Sequence, residues 1–324
     1  MPYINVDEAY ILDNTGLQVD QVVDSPYADA GFTDTQKEQF RKNIAAGGTN
    51  PNLLDNWYFV GGGSQLGDGV FPINQRGQTQ YTAAGFVFDR WFKSGGVTVD
   101  LASDGVTITN GNGWPDGINQ RFPSYYFAQF NGKPLTVSAL LSDGTIVSGT
   151  VTVDASQNYQ WVKYPEANEI GFQLKNFQYG ATYDYFDYIS IAVGAGGNAI
   201  KICAVKLELG TVSTLANDPP PDFGEEFEKC RYYLRYIPLT RYAIAIDGAN
   251  AYMTMIGMPM RGVPTPSLVT AGGVRDAGGT STITSATVTG FTYKTPTVQF
   301  ALSASRSYVV GYIYDTVLCL SAEL

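Results

Sequence analysis

VTVDLASDGVTITNG (97–111) and LTVSALLSDGTIVSGTVTV (135–153) decide the fold. In each, apolar and polar residues alternate on both sides of an Asp-Gly pair, Asp104-Gly105 and Asp143-Gly144. Period-two alternation belongs to a strand with one buried face, and Asp-Gly accepts the positive φ of a tight turn. Both segments read as β-hairpins. Outward from them, further strands are predicted at 168–174, 182–193 and 199–208. No amphipathic helix separates these runs, which excludes a parallel α/β sheet. Roughly eight short strands over residues 51–217 make a two-sheet sandwich of jelly-roll type.

NDPPPDF (217–223) ends this unit, because three consecutive prolines cannot enter a central strand. Residues 218–324 form a second unit. There Asp222 is placed to cap a helix, with Glu225 three residues on. The apolar positions Phe223, Phe227, Cys230, Leu234 and Ile237 are spaced 4, 3, 4 and 3, a two-heptad seam. Two heptads are short for a coiled coil, so the seam fits an intersubunit contact or packing on its own sheet. The tail returns to strands, with a third hairpin predicted at Asp247-Gly248. The second unit thus reads as one short helix plus a second β-sandwich, and the whole chain as mainly β.

Residues 1–50 are too poor in apolar side chains to enclose a core and read as a short helical adaptor. Thr33 and Gln36 form a capping box ahead of a short helix that ends near Gly47-Gly48. Its apolar spot, Phe40 and Ile44, needs a partner: copies of the same helix side by side, or the domain that follows. Oligomer contacts are therefore expected at Phe40, Ile44, Phe223, Phe227 and Leu234.

Composition narrows the chemistry. The 324 residues carry 20 basic and 30 acidic side chains, a net charge of −10, which disfavours nucleic acid and anionic lipid as partners. Histidine is absent, so Ser–His–Asp and Cys–His catalysis are excluded and the commonest zinc ligand is missing. Cys203, Cys230 and Cys319 show no CxxC spacing and lie in apolar runs, as buried thiols do. The N-terminus shows no secretory signal, and no apolar run approaches the ~18 residues that span a bilayer. No metal motif and no cofactor are expected; loop carboxylates leave an acidic calcium site as the open alternative. Asp184 and Asp187 fall on opposite faces of a predicted strand, and Asp154, Glu166 and Glu169 lie in polar loops, so none makes a paired-carboxylate site. The glycine runs at 61–69 and 194–199 lack the Gly-Lys-Ser/Thr ending and the following helix of a phosphate loop.

Twenty-two tyrosines, 17 phenylalanines and four tryptophans point instead to a binding surface. Sugars are held by flat aromatic faces and planar hydrogen-bonding groups. NGNGWPDGINQRFPSYYF (110–127) offers both: Trp114 in a polar loop, Asp116, Asn119 and Gln120 to orient hydroxyls, and Tyr125 beyond them. The alternative for Trp114 is a plug for the open end of its own sandwich. Trp57, Trp91 and Trp161 sit in apolar strands and are expected in the core.

Several segments taken in order resemble phage and prophage fibre-type structural proteins. They are FTDTQKEQFRKNIAAGG (32–48), NPNLLDNWYF (50–59) with INQRGQTQYTAAGFVFDRW (73–91), VKLELGTVSTLANDPP (205–220), DFGEEFEKCRYYLRYI (222–237) and MPMRGVPTPSL (258–268). The resemblance covers about residues 33–270. It implies a virion protein assembled in the host cytoplasm, a homotrimer joined to other virion proteins through its N-terminus. It also implies a jelly roll related to carbohydrate-binding modules that touches host cell-surface polysaccharide. It carries over no catalytic residue and no named sugar contact. Two rival readings are a purely architectural capsid or baseplate decoration and a polysaccharide depolymerase.

Overall fold

The computed structural model describes residues 50–61, 71–176, 186–239, 242–255, 260–261, 263–292, 295–306 and 310–322. The adaptor, with Phe40 and Ile44, lies outside the described residues, as does Asp184. The chain is mainly β, in antiparallel sheets with a single short α-helix among the described residues.

The first unit holds β1 (Gln80–Tyr81), β2 (Gly85–Phe86), β3 (Trp91–Lys93), β4 (Val97–Ala102), β5 (Gly105–Asn110) and β6 (Asp116–Pro123). It continues through β7 (Pro134–Leu141), β8 (Ile146–Thr152), β9 (Tyr159–Lys163), β10 (Ile170–Lys175), β11 (Phe186–Val193) and β12 (Asn198–Leu209). These form two six-stranded sheets, in the orders β1-β4-β5-β12-β7-β8 and β2-β3-β6-β11-β10-β9. One continuous core joins them: Val99, Ile108, Val137 and Leu207 from the first sheet meet Trp91, Ile118, Phe172 and Ile191 from the second, all fully buried. This is the predicted sandwich, with more and shorter strands. Both Asp-Gly pairs sit in hairpins. At the second, Gly144 (φ +85°) follows a turn closed by Leu141 N–H to the Thr145 carbonyl, 2.8 Å. At the first, Ser103 and Asp104 make the turn, and Gly105 (φ +141°) already begins the returning strand.

The second unit begins with α1 (Phe223–Arg231), where the Asp222 carboxylate accepts from the Glu225 N–H at 2.9 Å, the expected cap. Then follow β13 (Leu234–Leu239), β14 (Tyr242–Thr254), β15 (Thr265–Thr270), β16 (Gly273–Asp276), β17 (Gly279–Thr292), β18 (Thr295–Arg306), β19 (Val310–Tyr314) and β20 (Thr316–Ser321). Strands β14-β18-β17-β16-β19 close into a barrel, and β13-β20-β15 form a small sheet that shares its core through Ile237, Leu318 and Leu320.

Two expectations are corrected here. Asp247-Gly248 is not a hairpin. β14 runs straight through it, pairing with β19 up to Ala245 and with β18 from Gly248, where φ is +58° and the register shifts. The glycine makes a bulge, the device that lets a sheet curl and close on itself. The heptad seam is also not a helix surface. α1 stops at Arg231, and Leu234 and Ile237 are buried positions of β13. A 4-3-4-3 spacing reads as one seam only while the chain stays helical, and here helix gives way to strand inside the second heptad.

Phe223 and Phe227 stack on each other, 5.5 Å between ring centroids, and pack with Cys230 against Phe71, Ile73 and Tyr58 of the first unit. The three apolar residues of α1 thus close an intrachain joint, and Leu234, 2% exposed, offers no surface to another subunit. Phe227→Asp is therefore expected to cost about 2–3 kcal/mol, the loss of a half-buried ring plus a carboxylate beside apolar groups. Limited proteolysis of residues 217–223 should accelerate severalfold, while the sedimentation coefficient at low temperature keeps its wild-type value.

Candidate functional site: the Trp114 loop and an aromatic sheet face

The loop before β6 is built around its asparagines. Asn110, fully buried, donates through Nδ2 to the carbonyls of Trp114 and Val193, both at 2.9 Å, and accepts from the Asn112 N–H. Asn112 Nδ2 reaches the Gly95 carbonyl and Asp116 Oδ2, and Ser94 Oγ donates to the same carboxylate oxygen at 2.5 Å. The backbone is held on every side, yet the Trp114 ring is 65% exposed. It is not a plug for the sandwich. Asp116 is half-buried and engaged in holding this loop through both oxygens.

Directly opposed residues of an antiparallel pair share a face. That register places Phe86, Phe92, Asn119, Ser190, Gln173 and Trp161 in one row across the second sheet. Arg121, Tyr188, Lys175 and Tyr159 form the next row. Both rows point away from the core, which takes the alternate residues Trp91, Gln120, Ile189 and Leu174. The Arg121 guanidinium lies 3.6 Å from the Phe92 ring centroid and 4.1 Å from that of Phe186. The Lys175 ammonium lies 5.3 Å from Tyr188 and 5.5 Å from Tyr159, so cations and rings interleave across the face. Among the described residues of these two rows there is no carboxylate.

A rim closes one end of the face. Residues 164–167 cross it where Gly171 and Gly194 leave no Cβ: a methyl on Gly171 would sit 2.4 Å from Pro165 Cδ, and one on Gly194 2.1 Å from the Glu166 carbonyl oxygen. Tyr164, 53% exposed, stands edge-on to Trp161 with centroids 4.9 Å apart. Beside it Lys163 donates to Glu169 at 2.6 Å and holds that carboxyl below the usual range. The Trp114 loop abuts the same end of the sheet through the Val193 carbonyl.

The five expected sugar contacts therefore separate. Trp114 and Asn119 lie at or on this face. Gln120 does not: it points inward, fully buried, and its side chain is spent on the Asp55 backbone at 2.7 and 2.9 Å. The odd offset between 119 and 120 on a strand makes this unavoidable. Tyr125 follows the far end of β6, whose rise of about 3.3 Å per residue sets it some 25 Å from Trp114. Asp187, whose carboxylate accepts from the Phe127 N–H at 2.9 Å, is likewise structural. Trp57 and Trp91 are core residues as expected, but Trp161 is only partly buried, on the edge strand β9. The alternation Tyr159-x-Trp161-x-Lys163 carried that signal, since outward positions repeat every second residue.

A concavity of about 370 Å³ lies where the units meet and is lined by Asp55, Glu225, Glu228, Lys229, Tyr232 and Tyr233. Beneath it Glu226 accepts from the Asn56 N–H at 2.6 Å and from Lys229 at 3.1 Å. Burial pushes its carboxyl up, against the pull of those two donors. Around the groove Lys229 pairs with Glu226 and Glu228 with Arg231 within α1, Asp55 pairs with Arg90 within the first unit, and the Glu226 bond to Asn56 joins the two.

Among the described residues no cluster of His, Cys, Asp or Glu is arranged to hold a metal ion, and no helix is long and apolar enough to cross a membrane. No family model matches the chain, and neither a curated protein nor a solved structure matches it.

Proposed function

We propose that this chain is a virion fibre-type structural protein that joins its particle through the N-terminal segment and binds host surface glycan through its first β unit. The observation that carries the reading is Trp114: a large ring open to solvent on a loop whose backbone is held by the buried Asn110. A side chain ordered in advance loses little entropy on binding, which is how a single aromatic anchor contributes most of a weak interaction. Three copies on one particle would turn millimolar sugar affinity into useful avidity. The absence of histidine and the sequestration of Asp187 favour binding over bond cleavage.

The test uses the intact chain on an array of bacterial surface polysaccharides. Binding is expected, and Trp114→Ala should weaken it about tenfold with no change in thermal midpoint. A folded oligomer that binds no polysaccharide would favour the architectural reading, and release of soluble fragments would favour a depolymerase.

A further inference from the structure

We propose that Lys206 and Asp218 condense to an isopeptide bond within the folded chain, with Glu208 as general base, so that β12 becomes covalently tied to the start of the proline linker. This stands apart from the glycan reading and uses none of its residues.

The site is built by β12 and the segment that follows it. Lys206 and Glu208 are two apart on a strand, so both leave the outer face of the first sheet while Val205 and Leu207 enter its core. Gly210, at φ +110°, turns the chain back over that face. Thr136 donates to the Gly210 carbonyl at 2.7 Å, Ser213 donates to Ser138 at 2.9 Å, and Leu215 is buried, so the returning segment is pinned. Beneath it Lys206 and Glu208 are fully buried, and the Asp218 side chain is 8% exposed.

In this closed site the reacting groups already touch. The Lys206 nitrogen lies 2.7 Å from each oxygen of Asp218. That brings the carboxyl carbon into the roughly 3–3.5 Å range of a near-attack arrangement. The same nitrogen donates to Thr214 Oγ1 at 2.7 Å, and that hydroxyl donates to Glu208 Oε2 at 2.6 Å. A proton path therefore runs from the amine through Thr214 to Glu208, whose carboxylate stands 3.7 Å from the nitrogen.

The step balances without an outside reagent. One ammonium proton passes to Asp218, leaving a neutral amine beside a neutral acid. The nitrogen attacks the Asp218 carboxyl carbon and the C–N bond forms. Glu208 takes a proton from that nitrogen through Thr214 and returns it to the departing Asp218 hydroxyl; the C–O bond breaks and one water leaves. Ammonium plus carboxylate has become amide plus water, and Glu208 is a carboxylate again. In bulk water the hydration of both ions opposes this reaction. Here burial has already stripped that hydration, and exchanging two buried charges for one neutral amide relieves its cost. Groups fixed in contact also react at effective molarities of about 10⁵–10⁸ M. The ion pair holds the segment in the newly folded chain, and the amide then makes the hold permanent.

The test is intact-mass spectrometry of the purified full chain, kept folded at neutral pH for days and denatured only for injection. The wild type is expected one water below the mass its sequence requires. Trypsin should fail to cut after Lys206 and leave residues 202–229 as one peptide lacking a water, since Lys201 and Lys229 are the flanking sites. Cutting that peptide after Glu208 with a glutamate-specific protease should leave the pieces on either side joined. Lys206→Arg keeps the cation, cannot condense and should show the full mass. Glu208→Gln keeps Lys206 beside Asp218 and should condense about a hundredfold more slowly, a readout that packing alone would not move. A folded wild type that stays at full mass overturns the proposal, as does a water loss that maps outside residues 206–218 or persists in Lys206→Arg.

Discussion

Replacing Asn56 with alanine is expected to lower the stability of the first β unit by about 4 kcal/mol, one of the two largest effects anticipated in this chain. Asn56 is fully buried with φ +51°. Its Nδ2 donates to the carbonyls of Ile73 and Asp89, both at 2.8 Å, and its Oδ1 accepts from the Ile73 N–H at 2.7 Å. Alanine would leave the Ile73 N–H and the Asp89 carbonyl without that partner, each costing about 1–3 kcal/mol, while the Ile73 carbonyl keeps the Asp89 N–H at 3.1 Å. It would also place a Cβ-bearing residue without asparagine's tolerance in the left-handed region, at about 1 kcal/mol. These costs are not fully additive, because the segments relax together. Asn56→Gly separates the two terms: it keeps the backbone freedom and loses the hydrogen bonds, so it should be about 1 kcal/mol less damaging than alanine. All four tryptophans lie between residues 57 and 161, so intrinsic tryptophan fluorescence during urea denaturation reports this unit alone.

The neighbours of Asn56 explain why the stretches 50–59 and 73–91 are the distinctive part of the sequence. The Asn56 carbonyl accepts from Trp91 Nε1 at 2.9 Å, and its N–H donates to Glu226 on α1. Gln75 joins Asp89 Oδ2 at 2.6 Å to the Leu234 carbonyl at 2.9 Å. Arg90, itself at φ +73°, pairs with Asp55 at 3.0 Å and lies 3.6 Å from the Tyr233 ring centroid. The polar letters of these two segments thus form a buried network that ties the sandwich to α1. They are structural. On the proposed fibre reading such a joint is an advantage, because a fixed relation between the parts preserves the alignment that multivalent contact requires.

The β class, the two Asp-Gly hairpins of the first unit and the α1 cap were legible because each is a local matter of alternation, turn chemistry or capping. The second sheet's outer face was not. Assigning Trp161 to the core treated an apolar neighbourhood as a buried one, and nothing within five residues says that β9 is an edge strand. Gln120 shows the converse: its inward direction follows from strand parity once β6 is recognised, but the polar setting of 110–127 suggested solvent. Asn56 and Glu226 are 170 positions apart, a separation that no periodicity reaches. Asp247-Gly248 carries the same dipeptide as the two true hairpins, and only the continued pairing of β14 with β18 makes it a bulge.

The second large effect is expected at Lys206, a residue with no distinguishing mark in the sequence. It lies on β12, on the outer face of the first sheet, and is fully buried because residues 210–218 fold back over it. Its ammonium donates to Thr214 Oγ1 and to Asp218, both at 2.7 Å, and lies 3.7 Å from Glu208. Glu208, also fully buried, accepts from the N–H and hydroxyl of Thr214 at 2.8 and 2.6 Å. One cation thus balances two carboxylates beneath the segment that leads into the three prolines. Lys206→Met keeps the length of the side chain and removes the charge, leaving both carboxylates facing each other without a counterion. The expected loss is about 3–5 kcal/mol, the range for breaking a buried ion pair from one side. This is the cost of abandoned charges rather than the worth of the pair. The triple variant Lys206→Met, Glu208→Gln, Asp218→Asn should therefore recover at least about 2 kcal/mol of it. If urea denaturation shows the single and triple variants equally unstable, the ammonium acts through packing of its stem and not through its charge.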